Sequence, residues 1–382
     1  MVLPFISDLQ LFQAVLAAAV AITLWLWLAA ALHARRVRRV PLRIHVAGSR
    51  GKTSTARLIG AALRADGRQV LVKTTGTDPL LILPDGSERP WPRWAPPSIS
   101  EQVRFFREAA RQGAKAVVLE SMAIEPEYLW ASEEYLVQAT HTVITNVRPD
   151  HVEVVGRDPL AAAHAMSLVI PRRGTLFLAA EAAVPPILER AARLGCRVET
   201  IVASDSAHEV QNQAMALAVA RSVGVDEAVA RAGFASAGQD AGSFFLARGQ
   251  AGGQAFTFAS AFACNDPQSL EQLWRENPAP QVPLVLFNLR DDRPERTRAF
   301  LALLARLVPA QRLVLTGHVP GRWLRAVGLD PAGPRRLRTR DPGRALAQLA
   351  QAAQGAPIWG VGNYSHLGRE LVALLRREGA PC

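Results

Sequence analysis

After residue 41, short apolar runs alternate along the chain with longer stretches in which apolar residues recur at helical spacing. Ala116–Glu120 (AVVLE) and Leu284–Leu289 (LVLFNL) are examples of such runs. Alternating strands and helices are typical of α/β domains with parallel sheets, so we predict two of them. The predicted strands are Ile44–Ala47, Gln69–Lys73, Ala116–Glu120, Thr142–Thr145, Ala255–Phe262, Leu284–Leu289, Arg312–Thr316 and Ile358–Val361, and the predicted helices include Thr53–Ala65, Ser100–Gln112 and Glu209–Ser222.

Two segments interrupt this alternation. Residues 78–97 are rich in proline and contain Asp85-Gly86, a pair typical of tight β-turns, so we predict a hairpin-like excursion there. The segment Gly238–Gly253 is rich in glycine and contains the predicted boundary between the two sheet domains. We therefore expect three parts: an N-terminal segment 1–40, a central domain 41–240 and a smaller C-terminal domain 241–382.

Residues 14–32 form an uncharged, mostly apolar run of nineteen positions. As a helix this run covers roughly 28 Å, which is close to the hydrocarbon thickness of a bilayer. The positive-inside rule predicts that the N-terminus lies outside and that everything after Leu32 lies in the cytoplasm. We predict a single-pass anchor in the plasma or inner membrane, with a buried globular helix as the alternative. Only Asp8 precedes the run, whereas Arg35, Arg36, Arg38, Arg39 and Arg43 follow it.

The net charge of +11 does not point to nucleic acid. Residues 1–43 hold five Arg and one Asp, which leaves +7 on the rest, where the arginines are scattered rather than interleaved with aromatic residues. Attraction to anionic lipids or to an anionic product explains this charge at least as well. The wide spacing of the three cysteines excludes a disulfide framework and a zinc site, and it fits a reducing compartment.

The segment Gly48–Ser54 (GSRGKTS) stands between a predicted strand and a predicted helix. Glycines in this position let backbone N–H groups converge on phosphate oxygens, and the helix N-terminus adds partial positive charge. The longer pattern G-x-x-x-x-G-K-[ST] fails at its first glycine, where Val46 stands. We predict Lys52 at the β- and γ-phosphates of a nucleotide and Thr53 at Mg²⁺. The predicted binding residues are Gly48, Ser49, Arg50, Gly51, Lys52, Thr53 and Ser54.

Further candidate metal ligands follow other strands. Glu120 ends one predicted strand, Thr75 follows a second and His151 lies past a third. The carboxyl ends of parallel strands meet at one edge of a sheet, where α/β proteins bind ligands. Because Mg²⁺ prefers oxygen ligands, Glu120, Thr53 and Thr75 are chemically suitable. His151 is a further candidate, although a lone histidine is more often structural.

Four motifs follow one another along the chain, namely Gly48–Thr53, Lys73–Thr77 (KTTGT), Leu119–Met122 (LESM) and Ile144–His151 (ITNVRPDH) with Gly156. In this order they resemble the motifs of the Mur-ligase superfamily, whose members form amide bonds with ATP. The resemblance implies Mg-ATP as cofactor and Lys52, Glu120 and His151 as catalytic residues. It also implies that Asn212, which ends an H-x-x-x-N pattern from His208, lies near the adenine, and that Arg290 or Asp292 contacts base or ribose.

Three further motifs lie in the C-terminal domain, namely Phe262–Pro267, Asn288–Arg293 with Arg296-Thr297, and Gly360–Asn363. They resemble one branch of this superfamily, the ligase subunits of poly-γ-glutamate capsule synthases. This branch implies glutamate and a growing poly-γ-glutamate chain as substrates, small membrane subunits as partners, an acyl-phosphate intermediate and ADP as product. It leaves association with further copies of the chain open.

Three alternatives remain open at this point. The segment before the phosphate loop is too short for the UDP-sugar domain of peptidoglycan Mur ligases. Folylpolyglutamate synthases also have a short segment before this loop and remain an alternative, although they are soluble and the apolar span argues against them. A membrane-anchored phosphotransferase or a nucleotide-gated scaffold would use the same loop. One departure concerns the lysine that many Mur ligases carbamylate for a second Mg²⁺, because no lysine follows Lys115 and His164, Ala165 and Met166 occupy that region.

Overall fold

The computed structural model describes residues 8–76, 78–93, 96–147, 158–204, 208–240, 242–262, 264, 266–289, 294–378 and 380–381. Within it the chain forms two compact units, Met1–Gly238 and Gln239–Cys382. The sequence placed this boundary after residue 240.

Helix α1 (Asp8–Arg38) precedes the first sheet. Its stretch Leu9–Arg38 is long and apolar enough to cross a membrane, with a mean hydropathy of 2.3 and no part of that window buried. Near its C-terminal end the side chain of Val37 is buried, as is Val40 just beyond the helix, and both pack with aromatic residues such as Phe106. The end of the apolar helix is therefore part of the core of the first unit.

The first unit contains an eight-stranded sheet in the order β4-β3-β2-β5-β1-β6-β7-β8. Its pairs are parallel except β2–β3 and β3–β4. The strands are β1 (Leu42–Ala47), β2 (Val70–Lys73), β3 (Leu80–Ile82), β4 (Glu88–Pro90), β5 (Ala116–Glu120), β6 (His141–Ile144), β7 (Thr175–Ala179) and β8 (Arg197–Ile201). The helices are α2 (Lys52–Ala65), α3 (Glu101–Arg111), α4 (Pro126–Ala131), α5 (Pro159–Ser167), α6 (Pro185–Arg193), α7 (His208–Ser222) and α8 (Glu227–Phe234), with a π-helix at Ser132–Val137.

Alternate residues of β5 enter two different cores. Ala116 and Val118 pack in the cluster that includes α2 and α7, whereas Val117 and Leu119 pack in the cluster that includes α3. The sheet is therefore covered on both faces, which explains why its central strands are continuous apolar runs rather than alternating patterns.

The second unit contains a seven-stranded sheet in the order β13-β12-β11-β14-β10-β9-β15. The central strands are parallel, and β9 pairs antiparallel with β10 and β15. The strands are β9 (Phe245–Ala251), β10 (Gln254–Ala261), β11 (Leu284–Asn288), β12 (Leu313–Thr316), β13 (Arg335–Leu337), β14 (Ile358–Gly362) and β15 (Ala380–Pro381). The helices are α9 (Pro267–Glu276), α10 (Pro294–Leu307), α11 (Gly321–Ala326), α12 (Pro342–Ala353) and α13 (Leu367–Glu378).

The predicted α/β architecture is confirmed. Beside the parallel central strands, both sheets carry antiparallel strands at their edges. All of β9 lies in the glycine-rich segment Gly238–Gly253, and Gly252-Gly253 forms the turn into β10. The hairpin predicted at Asp85-Gly86 is present as β3 and β4.

Candidate functional site

The predicted phosphate loop lies between the carboxyl end of β1 and the N-terminus of α2. Gly48 has φ +125° and Gly51 has φ +80°, backbone conformations that residues with a Cβ rarely adopt. A Cβ at Gly48 would lie 2.1 Å from the hydroxyl of Thr145, and one at Gly51 would lie 2.4 Å from Oδ1 of Asn212. The loop therefore requires glycine at both positions, for the backbone conformation and for the space.

The N-terminus of α2 is open to an anion. Its N-cap is Gly51, which supplies no side-chain acceptor, and its first turn holds no acidic residue. By contrast, Asp226 caps α8 and Asp341 caps α12 with side-chain carboxylates. The first N–H groups of a helix bind anions well when no side chain satisfies them. This arrangement fits the phosphate groups of ATP.

Asn146, just after β6, fixes the shape of the loop. Its Oδ1 accepts a hydrogen bond from Arg50 N at 2.9 Å, and its Nδ2 donates to Arg50 O at 3.0 Å. Its backbone oxygen accepts from Ser49 N at 3.2 Å, and the neighbouring Thr145 hydroxyl donates to Arg50 O at 2.5 Å. The sequence motif contained both residues, but it gave no sign of these contacts across 96 positions.

Lys52 lies folded over the loop. Its Nζ donates to Gly48 O at 2.7 Å and to Ser49 O at 3.3 Å. The ammonium group is therefore held at the loop's own carbonyl oxygens.

Glu120 connects two of the predicted metal ligands. The hydroxyl of Thr53 lies 3.0 Å from both of its carboxylate oxygens, and Thr75 N donates to Oε2 at 2.6 Å. The carboxylate is almost fully buried. Nearby, the hydroxyls of Thr74 and Ser121 are buried and have no hydrogen-bond partner in the described part of the chain. A buried carboxylate among hydroxyl oxygens suits a hard divalent cation, so these residues fit the implied metal.

Asn212 on α7 reaches the same loop. Its Oδ1 accepts a hydrogen bond from the hydroxyl of Thr55 at 3.2 Å, and its amide contacts Gly51. The structure therefore brings Asn212 to the phosphate loop. Ser54, in the first turn of α2, is half-buried. Three other predicted site residues, His151, Arg290 and Asp292, lie outside the described residues.

A buried ion cluster lies beside this edge of the sheet. Lys73, at the end of β2, is fully buried, and its Nζ lies 2.9 Å from Oε2 of Glu101 at the start of α3. Arg93 donates to the other oxygen of Glu101 at 2.8 Å. Burial lowers the pKa of Lys73, an effect that Glu101 opposes. Arg93, which the sequence left as a guess for a glutamate contact, is thus paired with Glu101.

In the second unit, asparagines of the C-terminal motifs join strand ends. Asn288 Nδ2 donates to Asn363 O at 2.5 Å and to Ser365 O at 2.8 Å, and the Thr316 hydroxyl donates to Asn288 Oδ1 at 2.8 Å. Arg296 donates to Asn363 Oδ1 at 3.5 Å. These motif residues therefore fix the carboxyl edge of the second sheet.

Comparisons with known proteins match both units. The model of the Mur ligase middle domain matches residues 46–221, and that of the poly-gamma-glutamate synthase CapB C-terminal domain matches residues 246–378. The PGA synthase CapB of Bacillus subtilis (strain 168) is 28% identical over 361 residues, which are 89% of this chain and 91% of that protein.

Solved structures share the fold at low sequence identity. Escherichia coli FolC in complex with DHPP and ADP has a TM-score of 0.64 at 18% identity, covering 91% of this chain and 93% of that one. The bifunctional folylpolyglutamate synthase/dihydrofolate synthase of Yersinia pestis, complexed with AMPPNP and Mn ion, has a TM-score of 0.63 at 17% identity, covering 91% and 93%. Both are complexes with adenine nucleotides, and one contains a divalent metal.

Proposed function

We propose that this chain, an ATP-dependent amide ligase of the Mur-ligase superfamily, forms γ-glutamyl bonds as the ligase subunit of a membrane poly-γ-glutamate synthase. One observation carries the proposal. A phosphate loop that faces the buried carboxylate of Glu120 occurs in the same chain as a C-terminal domain of the poly-γ-glutamate synthase type.

ATP and a divalent metal, which we propose to be Mg²⁺, would occupy the loop and the oxygen cluster beside it. Gly48–Ser54 would hold the phosphates, and Thr53, Thr75, Glu120 and His151 are the proposed metal ligands. When bound, the metal supplies positive charge that neutralises the transferring phosphoryl group. Asn212, Arg290 and Asp292 remain the proposed contacts to base and ribose.

The proposed reaction has two steps. A glutamate γ-carboxylate oxygen attacks the γ-phosphorus of ATP, the bond to the bridging oxygen breaks, and ADP leaves. The amine of a second glutamate then attacks the acyl carbon, the bond to the phosphate oxygen breaks, and phosphate leaves while the amine proton passes to solvent. Lys52 and the loop N–H groups would stabilise charge on the phosphoryl oxygens during the first step.

We further propose that α1 anchors the chain in the membrane, with the N-terminus outside and the ligase units in the cytoplasm. The support is the apolar span and the arginines that follow it. Small membrane subunits of the same synthase and the growing polymer are the proposed partners. A nucleic-acid partner is not part of the proposal.

The nucleotide product tests this function. Membranes that contain the chain and its partner subunits should convert Mg-ATP and glutamate to ADP, phosphate and a polymer linked through side-chain carboxylates. Hydroxylamine should trap a γ-glutamyl hydroxamate from the acyl phosphate. Lys52→Ala should abolish both products, whereas Lys115→Ala, at an exposed loop position, should leave them unchanged.

Other outcomes favour the alternatives. AMP and pyrophosphate would indicate an adenylate-forming route, and ATP turnover that does not respond to glutamate would favour a phosphotransferase or a scaffold. Glutamate addition to a pteroate acceptor alone would favour a folylpolyglutamate-synthase-like activity. Each of these results contradicts the proposed synthase.

A further inference from the structure

Three aromatic side chains on one short stretch are exposed. Tyr128 is 52% exposed, Trp130 is 40% exposed and Tyr135 is 57% exposed. Among the described residues outside α1, no other Trp, Tyr or Phe is classed as exposed. The rings of Trp130 and Tyr135 meet edge to face with centroids 5.3 Å apart, so they pack on each other rather than in the core. A cluster of this kind marks an interaction surface.

This stretch lies against the end of the apolar helix. His33 Nε2 lies 2.9 Å from the backbone oxygen of Leu136, the residue after Tyr135. His33 in turn follows directly on Leu32, the last residue of the apolar run. The aromatic pair is therefore close to the level at which α1 leaves the hydrocarbon. The polar headgroup layer is roughly 5–8 Å thick on each side of the bilayer, so this level falls inside or beside it.

Basic side chains lie near the level at which α1 leaves the hydrocarbon. Arg35, Arg38 and Arg39 are exposed at the end of α1. Arg172 is also exposed and pairs with Glu134, the neighbour of Tyr135. Arginines within the first turns after a membrane span are attracted to anionic lipid headgroups. The charge around the aromatic rings is thus complementary to an anionic bilayer surface.

We propose that Tyr128, Trp130 and Tyr135 form an interfacial surface that lies in the headgroup layer of the membrane. Tyr and Trp suit this layer because each has an apolar ring and a polar group, and both are enriched at membrane interfaces. The surface gives the first unit a second membrane contact beside α1, which fixes its rotation about the helix axis. This inference rests on the proposed membrane anchor and is independent of the proposed chemistry.

Depth-dependent fluorescence quenching tests the surface. The full chain, with Cys196→Ser, Cys264→Ala and Cys382→Ser, would carry one new cysteine at position 130 or 135, labelled with a fluorophore. It would be placed in nanodiscs of phosphatidylcholine and phosphatidylglycerol whose lipids carry a nitroxide at the headgroup or deep in the acyl chain. The controls are Leu24→Cys, in the middle of the span, and Val202→Cys. The side chain of Val202 is 79% exposed and directly follows β8, the strand at the far edge of the first sheet.

The headgroup nitroxide should quench the labels at 130 and 135 several-fold more than the label at 202. The acyl-chain nitroxide should quench the label at 24 most. The proposal would be overturned if the headgroup nitroxide quenched the labels at 130 and 135 no more than the label at 202. This holds even if these labels are shielded from water, because shielding without quenching by the lipid indicates that a protein partner covers the surface. An unquenched label at 24 would show that α1 is not in lipid and would overturn it as well. A cooperative thermal transition in each variant shows that the labelled chain is folded.

Discussion

At the scale of single residues, Glu120 joins the first turn of α2 to the loop after β2 through one carboxylate. Thr53 and the backbone of Thr75 both donate to it. Glu120→Gln keeps the size but removes the charge and places an NH₂ group against these donors. We expect turnover to fall by something on the order of 10²-fold, which corresponds to about 3 kcal/mol. ADP release at saturating ATP and metal measures this.

Glu189→Gln is the matched control, since Glu189 is an exposed carboxylate on α6. Its turnover should equal that of the wild type. Equal rates for the two variants would remove Glu120 from the catalytic machinery.

Gly51 and Gly67 stand at opposite ends of α2 with similar positive φ angles, +80° and +76°. A Cβ at Gly51 would meet Asn212 at 2.4 Å, whereas a Cβ at Gly67 would meet nothing within 4 Å. Gly67→Ala should therefore cost stability of about 1–2 kcal/mol from the left-handed backbone and leave nucleotide affinity unchanged. Gly51→Ala should carry the same backbone cost and also weaken ATP binding.

Calorimetric titration with ATP and thermal unfolding separate these two effects. If both variants bound ATP as the wild type does, the shape of the loop at Gly51 would have no part in nucleotide binding.

At the scale of secondary-structure elements, the buried cluster of Lys73, Glu101 and Arg93 ties β2 to α3 and to the chain after the hairpin. Removal of one member of a buried ion pair leaves the other charge without compensation, and this costs about 3–5 kcal/mol. Because Arg93 still pairs with Glu101, Lys73→Met should destabilise the first unit by up to this amount. Lys73→Met with Glu101→Gln should recover part of the loss, because the group that faced Lys73 is then uncharged and the partly exposed Arg93 keeps an amide oxygen to donate to.

Denaturant unfolding of the wild type and the two variants measures these differences. A double variant less stable than Lys73→Met would contradict this account of the cluster.

The elements that could be predicted are those whose sequence pattern lies within the element itself. Ala116–Glu120 was predicted at its observed bounds because a strand buried on both faces is a continuous apolar run. The strand β9 was missed because it lies inside the glycine-rich segment Gly238–Gly253, while its pairing depends on β10.

Long-range contacts explain the remaining omissions. The π-helix Ser132–Val137 was not predicted, and in it Glu133 binds His45 at 2.9 Å and Ala139 N at 2.7 Å. The partner His45 is 88 positions away in sequence. Likewise, the phosphate loop could be recognised in the sequence, but the hydrogen bonds from Asn146 that hold it depend on the pairing of β1 with β6.

At the scale of the whole molecule, the apolar helix and the first unit share a core. Deletion of residues 1–30 leaves His33, Val37 and Val40 in place and should release a folded chain into the soluble fraction. Deletion of residues 1–38 also removes the buried side chains of His33 and Val37, and burial of one such apolar side chain stabilises by about 1.5–3 kcal/mol. We expect the longer deletion to lower the melting temperature.

Fractionation followed by thermal unfolding of both truncated chains checks this. Equal melting temperatures would show that the end of α1 contributes no stability to the first unit. A shorter deletion that stays with the membranes would show that α1 is not the main anchor.

Only residues 39–41 separate α1 from β1, and Val40 among them is buried. A flexible linker would let a tethered domain tumble and sample many orientations above the membrane. With α1 as the proposed membrane anchor, this connection would make the first unit and the helix diffuse together as one body, whose motion is lateral drift, tilt and spin about the bilayer normal. A proposed membrane subunit would then meet the same face of the first unit at each encounter. Much of the orientational entropy that assembly would otherwise cost would already be lost on insertion of the helix.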